Sequence, residues 1–403
     1  MGAVRRETRS HVDDFRGATR LAVEATRSVT DLVEAMHHTI GGGPAILGRP
    51  LARPTRVLTA PVYGSIRGVT RLVGAGIDRA LAGMVPLIGR RAPGPEFEAV
   101  LAALNGVLGD YLAETRNPLA IEMRLCHGGQ PLELDRRALR AALPRAGGKL
   151  LVLVHGLCVN DALWSRQEHD LGAALAHDLR STVVHLRYNT GLHISTNGRE
   201  FSALLERLVA EWPVPLEDLV LVGHSMGGLV SRSACYAAET SGHLWRRRLS
   251  AVVCIGSPHH GTPLERGGSW VDVLLGVSRY SRPLARLGKI RSAGITDLRF
   301  GNVLDEHWRG TDRFRLTADG RTPLRLPAGV ECYAIAGTKA RRQGTSLPGD
   351  GLVPVASALG KHRKPELTLG FPEAHQSIAF GTGHIELLGR LEVYETIRRW
   401  LSA

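Results

Sequence analysis

A chain of 403 residues, 43% of them hydrophobic, can build a sizeable core, and its net charge of +13 makes the surface strongly basic. No apolar run approaches the roughly 18 residues of a membrane-spanning helix, and the start Met1-Gly2-Ala3-Val4-Arg5-Arg6 leads into polar residues instead of a signal core. Aromatics at 5% with no nucleic-acid module exclude nucleic acid as the expected partner, and five scattered cysteines without a C-x-x-C pair exclude a disulfide framework or zinc site and suit a reducing, cytoplasmic interior.

Residues 1–91 hold 14 Arg against 7 acidic residues, a charge of about +7. Phe15, Ala18, Ala22, Ala25, Val29, Leu32 and Met36 recur at helical spacing until Gly41-Gly42-Gly43-Pro44 breaks the pattern. A second stripe runs Val62, Ile66, Val69, Val73, Ile77, Ala80, Met84, and a third Phe97, Val100, Leu104, Leu108, Tyr111. Such narrow apolar faces suit packing against the main domain, one another or a second copy. With the arginines, the alternative is peripheral contact with an anionic membrane or other lipid surface. Residues 1–117 are therefore read as a helical N-terminal extension, and 118–403 as the main domain.

The texture changes near Pro118. Ala120 to Cys126, Gly128-Gly129-Gln130 and Leu132 to Leu134 predict a β-hairpin. Strands are then predicted at Lys149–Val154, Thr182–Tyr188, Leu216–Val222, Ala251–Ile255, Val330–Ala336 and Leu367–Leu369. Helices are predicted near Asp161–His177, Gly198–Trp212, Met226–Ala238 and Ile385–Leu401. Alternating α and β with continuous apolar strands predicts an α/β fold: a mostly parallel sheet covered by helices on both faces.

Four stretches carry chemistry. After the first parallel strand come His155-Gly156-Leu157-Cys158, where the glycine lets a backbone N–H approach a substrate. After Leu219-Val220-Leu221-Val222 comes Gly223-His224-Ser225-Met226-Gly227, a G-x-S-x-G elbow that lifts the Ser225 hydroxyl clear of the backbone. A serine needs a base to take its proton and an acid to orient that base. Pro348-Gly349-Asp350-Gly351 supplies a carboxylate on a tight turn beyond a late strand, with Asp305 and Asp312 as weaker alternatives in a cap-like stretch and Asp297 read as a surface carboxylate. Gly381-Thr382-Gly383-His384 supplies an imidazole before the closing helix, with His375 as its competitor. The amide of Met226 and that of Leu157, or less favourably Cys158, are the expected oxyanion donors. His224 reads as a support for the turn, and Cys158 as a second nucleophile lacks a visible base. Pro263 to about Leu326, placed between two strands, is too long for a plain connection and is read as a cap or lid insertion.

With Ser257-Pro258-His259-His260-Gly261-Thr262 added, these motifs resemble the α/β-hydrolase superfamily, and within it the bacterial triacylglycerol-lipase and GPI inositol-deacylase-like group. The resemblance covers residues 118 to 403. It implies ester hydrolysis through an acyl-enzyme with Ser225, Asp350 and His384 as the triad. His155, Gly156, Cys158 and His224 are expected around the substrate, and no metal or organic cofactor is expected. Thioesterase, acyltransferase and amidase chemistry use the same triad, and a non-catalytic scaffold on the same fold is the rival of a different kind. Oligomeric state and the identity of the acyl group are open at this level.

Overall fold

The computed structural model describes residues 95–402, apart from 167–168, 263–290, 314, 316–317 and 345–346. The two N-terminal stripes and residues 263–290 of the expected cap lie outside the described residues. Glu96–Tyr111 and Ile121 onward belong to one compact unit; Leu112–Ala120 fall outside it and hold a local turn, with Asn117 N donating to Leu112 O at 2.8 Å.

Eight strands form the main sheet: β1 (Arg124–His127), β2 (Gln130–Pro131), β3 (Lys149–Val154), β4 (Thr182–Arg187), β5 (Asp218–His224), β6 (Leu249–Ile255), β7 (Glu331–Thr338) and β8 (Gln376–Phe380). Their order across the sheet is β8-β7-β6-β5-β3-β4-β1-β2. From β4 to β8 every pairing is parallel, while β1 runs antiparallel to β4 and to β2. Gly128 and Gly129, both at positive φ, close the β1–β2 hairpin as the sequence suggests.

Side-chain alternation explains the apolar runs. Leu151 and Leu153 stand in register with Val220 and Val222, which in turn stand beside Ala251 and Val253. These residues share one buried cluster with Leu171 and Leu175 of α3 (Leu171–Asp178) and Val393 and Ile397 of α8 (Leu391–Ser402). The intervening residues turn to the other face, where Cys254 meets Gly228 of α5 (Met226–Ser241). α5 packs in turn on α4 (Ile194–Ala210). Both faces are covered, so the strands read as continuous rather than alternating.

The helix α1 (Pro95–Glu114) carries the third stripe. Within residues 96–111 it packs into the main unit: Asn189 Nδ2 donates to Gly109 O at 2.8 Å, and Gly106 lies against Cys158. The shorter helices are α2 (Arg136–Ala142), α6 (Ala293–Asp297) and α7 (Val355–Ala358).

Three local expectations are corrected. Leu367–Leu369 is not a strand: Pro365–Leu367 is a 3₁₀ turn, and the last strand is Gln376–Phe380. That strand lies at the sheet edge with only Ala379 fully buried, so it lacks the apolar signature of its neighbours. The helix expected over Asp161–His177 is broken, because Asn160 caps a 3₁₀ turn at Ala162 and Asp170 caps a new helix at Ala173. The closing helix is likewise split, into the 3₁₀ turn Glu386–Gly389 and α8.

Candidate active site

From β3 the chain moves to β4 on one side, and then crosses to β5 on the other. Adjacent strands leaving in opposite directions open a crevice at their C-terminal ends, where α/β sheets bind ligands. His155-Gly156 follows β3 there, and Ser225 follows β5.

Ser225 has φ 56° and ψ −122°, a conformation that L-residues rarely adopt and that costs on the order of 1–3 kcal/mol. Its N–H donates to Ile255 O at 2.8 Å, which ties the turn to the neighbouring strand. A Cβ on Gly227 would stand 2.1 Å from Val154 O, so nothing larger than glycine lets α5 start this close to β3. Ser225 is 6% exposed, at the tip of the elbow.

Asp350 and His384 come from the loops after β7 and β8. His384 Nδ1 lies 2.7 Å from Asp350 Oδ2, and His384 N donates to Asp350 O at 3.1 Å. Asp350 Oδ1 accepts from the amides of Leu352 (2.9 Å) and Val353 (2.8 Å). Both carboxylate oxygens are therefore engaged in a group only 2% exposed. Burial pushes its carboxyl up, but His384 and the two amides outweigh this and hold it below the usual carboxylate range. With Nδ1 committed to Asp350, His384 keeps Nε2 for a reacting group. The imidazole borders the serine's strand neighbour: a Cβ on Gly256, which follows Ile255, would stand 3.3 Å from His384 Cε1.

His224 also supports the imidazole. Its Nε2 donates to His384 O at 3.2 Å, and the two rings stand 4.8 Å apart. Burial pulls His224 down to about 3 and His155 to about 4, so both are neutral at ordinary pH. His155 stacks on Tyr188 at 4.5 Å, and Tyr188 Oη donates to His155 O at 2.7 Å. Tyr188 fixes the loop after β3 and was not singled out in the sequence; its place at the end of a predicted strand was the available signal.

In that loop a Cβ on Gly156 would stand 3.0 Å from Ser225 Cβ, so the backbone passes directly beside Ser225. Cys158 N donates to Thr190 Oγ1 at 3.2 Å, which commits that amide elsewhere. The amides of Leu157 and Met226 have no hydrogen-bond partner among the described residues. Burial pushes the Cys158 thiol up to about 12, against any nucleophilic part for it. All five cysteines are free and buried.

Two of the alternatives, Asp305 and His375, have other partners. Asp305 pairs with Arg309 at 2.8 Å and with Arg199. His375 stands beside Glu331 and Tyr333 at the start of β7, the end of the sheet opposite the crevice. Asp297 is not a surface carboxylate: it is buried and accepts from His193 Nδ1 and from Ile194 N at 2.9 Å.

Residues 204–320, from within α4 past the elbow, match the family model described as the PGAP1-like alpha/beta domain. The chain has the α/β-hydrolase fold. No curated protein is significantly similar to it. Among solved structures it is similar to the mature lipase BlEst2 of Bacillus licheniformis, at 18% identity and TM-score 0.42 over 70% of this chain and 98% of that one. It is also similar to the phospholipase PlaB of Legionella pneumophila (17%, TM-score 0.35, 52% of this chain and 45% of that). A third is the esterase Pf2001 of Pyrococcus furiosus (13%, TM-score 0.36, 63% and 84%). The described part of this hydrolase fold has no helix long and apolar enough to cross a membrane.

Proposed function

We propose that the protein is a serine carboxylic-ester hydrolase of lipase or esterase type, working through an acyl-enzyme. The observation that carries this reading is the strained Ser225 at the switch-point crevice, combined with a buried His384–Asp350 pair whose free nitrogen is Nε2.

In the proposed mechanism Ser225 Oγ attacks the ester carbonyl carbon while His384 Nε2 takes its proton. Asp350 keeps the imidazole in the tautomer with the proton on Nδ1 and stabilises the imidazolium. The carbonyl oxygen gains negative charge and accepts from Met226 N–H and Leu157 N–H, donors already oriented before substrate arrives. His384 returns the proton to the leaving alkoxide as the C–O bond breaks. Water, deprotonated by His384, then attacks the acyl-enzyme and releases the acid and Ser225. These steps require no metal or organic cofactor.

The proposal extends to domain roles: residues 263–326 as a cap over the crevice, and the arginine-rich residues 1–91 as a peripheral contact with anionic lipid. Flotation of full-length protein and of a form lacking residues 1–91 on anionic liposomes tests the second; equal flotation counts against it.

The activity is tested by hydrolysis of p-nitrophenyl butyrate and by labelling with a fluorophosphonate. Wild type should turn over the ester and be labelled at Ser225, and Ser225→Ala should do neither while remaining folded. Labelling or turnover retained in that variant ends the reading.

A further inference from the structure

The loop after β3 carries two successive amides near Ser225, and their surroundings differ. Leu157 N–H has no hydrogen-bond partner among the described residues, although Leu157 is buried. Cys158 N–H donates to Thr190 Oγ1 at 3.2 Å. A buried donor without a partner is costly, which marks the Leu157 amide as one that awaits an acceptor.

Cys158 is held from two directions. Its φ of 61° is positive, a conformation that a residue with a side chain keeps only under constraint. On one side lies α1: a Cβ on Gly106 would stand 2.2 Å from Cys158 Sγ and 2.9 Å from its Cα, so the helix backbone rests directly on the bend. On the other side lies Thr190, itself buried.

Thr190 is a firm anchor because the turn after β4 is tied to three other elements. Asn189 Nδ2 donates to Gly109 O of α1 at 2.8 Å, and Asn197 Nδ2 of α4 donates to Asn189 O at 3.0 Å. Gly294 N of α6 donates to Gly191 O at 3.0 Å, while Gly191 N donates back to Asn189 Oδ1 at 3.0 Å. Peptide planes are rigid, so only the two dihedrals of Leu157 separate its amide from that of Cys158. Fixing one amide therefore restrains the other. Released from Thr190, the Cys158 amide would compete for any oxygen that Leu157 N–H meets.

We propose that Thr190 is a positioning residue that assigns the second oxyanion donor. By engaging Cys158 N–H it fixes the bend that presents Leu157 N–H to the carbonyl oxygen and withholds the neighbouring amide. The inference rests on the serine-hydrolase reading above. It also makes α1, which precedes the region of hydrolase resemblance, part of the frame of that site through Gly106.

The test compares full-length wild type, Thr190→Val and Thr190→Ser. Valine keeps the volume and loses the acceptor; serine keeps the acceptor. Turnover of p-nitrophenyl butyrate is divided by the number of sites that a fluorophosphonate titrates to completion, so a misfolded fraction does not count. In Thr190→Val, kcat per site should fall roughly 100-fold with KM unchanged, and Thr190→Ser should recover most of the loss. A trifluoromethyl ketone accepts Ser225 Oγ at its carbonyl carbon, which leaves an oxyanion and places the serine proton on His384. Its Ki should rise in Thr190→Val by the factor that kcat/KM falls, while the Ki of the matching alcohol, which forms no adduct, stays level. A Thr190 that only supports the fold would lower Tm and the titrated fraction but leave kcat per site unchanged, and that result overturns the proposal. Should Thr190→Val fail to fold, a crystal structure of the wild-type ketone adduct decides. Its oxyanion should lie within hydrogen-bond distance of Leu157 N and Met226 N, with Cys158 N still on Thr190; an oxyanion held by Cys158 N overturns the proposal. A wild type that neither hydrolyses the ester nor takes the label ends the serine-hydrolase reading and this inference together. An active wild type matched by Thr190→Val ends this inference alone.

Discussion

His224 Nε2 donates to the carbonyl oxygen of His384 at 3.2 Å, so the residue before Ser225 holds the backbone of the imidazole that follows β8. Under the proposed mechanism His224 is a positioning residue. Replacing it by Ala should lower kcat roughly 10- to 100-fold, within the range of a misplaced group, with KM little changed. His224→Gln, which keeps a donor near the same point, should recover part of the loss. Equal kcat in wild type and His224→Ala would show the bond to be incidental.

Asp350 sets the tautomer of His384. Asp350→Asn should reduce kcat by about 10⁴, the loss seen when an analogous triad acid is amidated. Asp305→Asn should stay near wild type, because its partners are Arg199 and Arg309. Steady-state kinetics on a short p-nitrophenyl ester reads both; the reverse ranking would move the acid to residue 305.

Gly156 and Gly227 separate function from stability. A methyl at 156 would press on Ser225 Cβ at 3.0 Å and on His224 Nδ1 at 3.3 Å. Gly156→Ala should therefore depress kcat while leaving the urea midpoint near wild type. A methyl at 227 would meet the Val154 carbonyl at 2.1 Å, where backbone cannot yield. Gly227→Ala should cost about 1–3 kcal/mol of stability or abolish folding. Indistinguishable urea midpoints for the two variants would contradict this division.

Buried neutral histidines should make the fold acid-sensitive. In the unfolded chain His155 and His224 titrate near 6.5, whereas in the fold they reach only about 4 and about 3. Below 6.5 the unfolded state binds protons that the folded state does not, so stability falls with pH. Each group removes roughly 1.4 kcal/mol per pH unit. For His155 the loss runs from 6.5 down to about 4, and for His224 down to about 3; above 6.5 neither contributes a slope. Urea midpoints at pH 7.5, 6.5, 5.5 and 4.5 should be level between the first two and decline across the rest. A flat series would show that these rings accept protons without unfolding.

The central strands were legible because burial on both faces writes continuous apolar runs. The elbow was legible because its glycines sit where backbone meets backbone. The acid and the imidazole that pair, Asp350 and His384, could be picked from glycine-rich loops after late strands. What escaped depends on partners distant in sequence. Gln376–Phe380 hides as a strand because it lies at an edge. Asp297 looks like a surface carboxylate until His193 and Ile194 surround it. Nothing local marks Thr190 as the group that engages the Cys158 amide.

The backbone twist at residue 225 also sets stability against activity. Glycine adopts φ near 56° without the penalty borne by a side chain. Ser225→Gly should therefore yield an inactive protein that melts at a higher temperature than its parent. Selection for durability alone would erase the hydroxyl; under the proposed function, chemistry is what keeps it at so unfavourable a torsion.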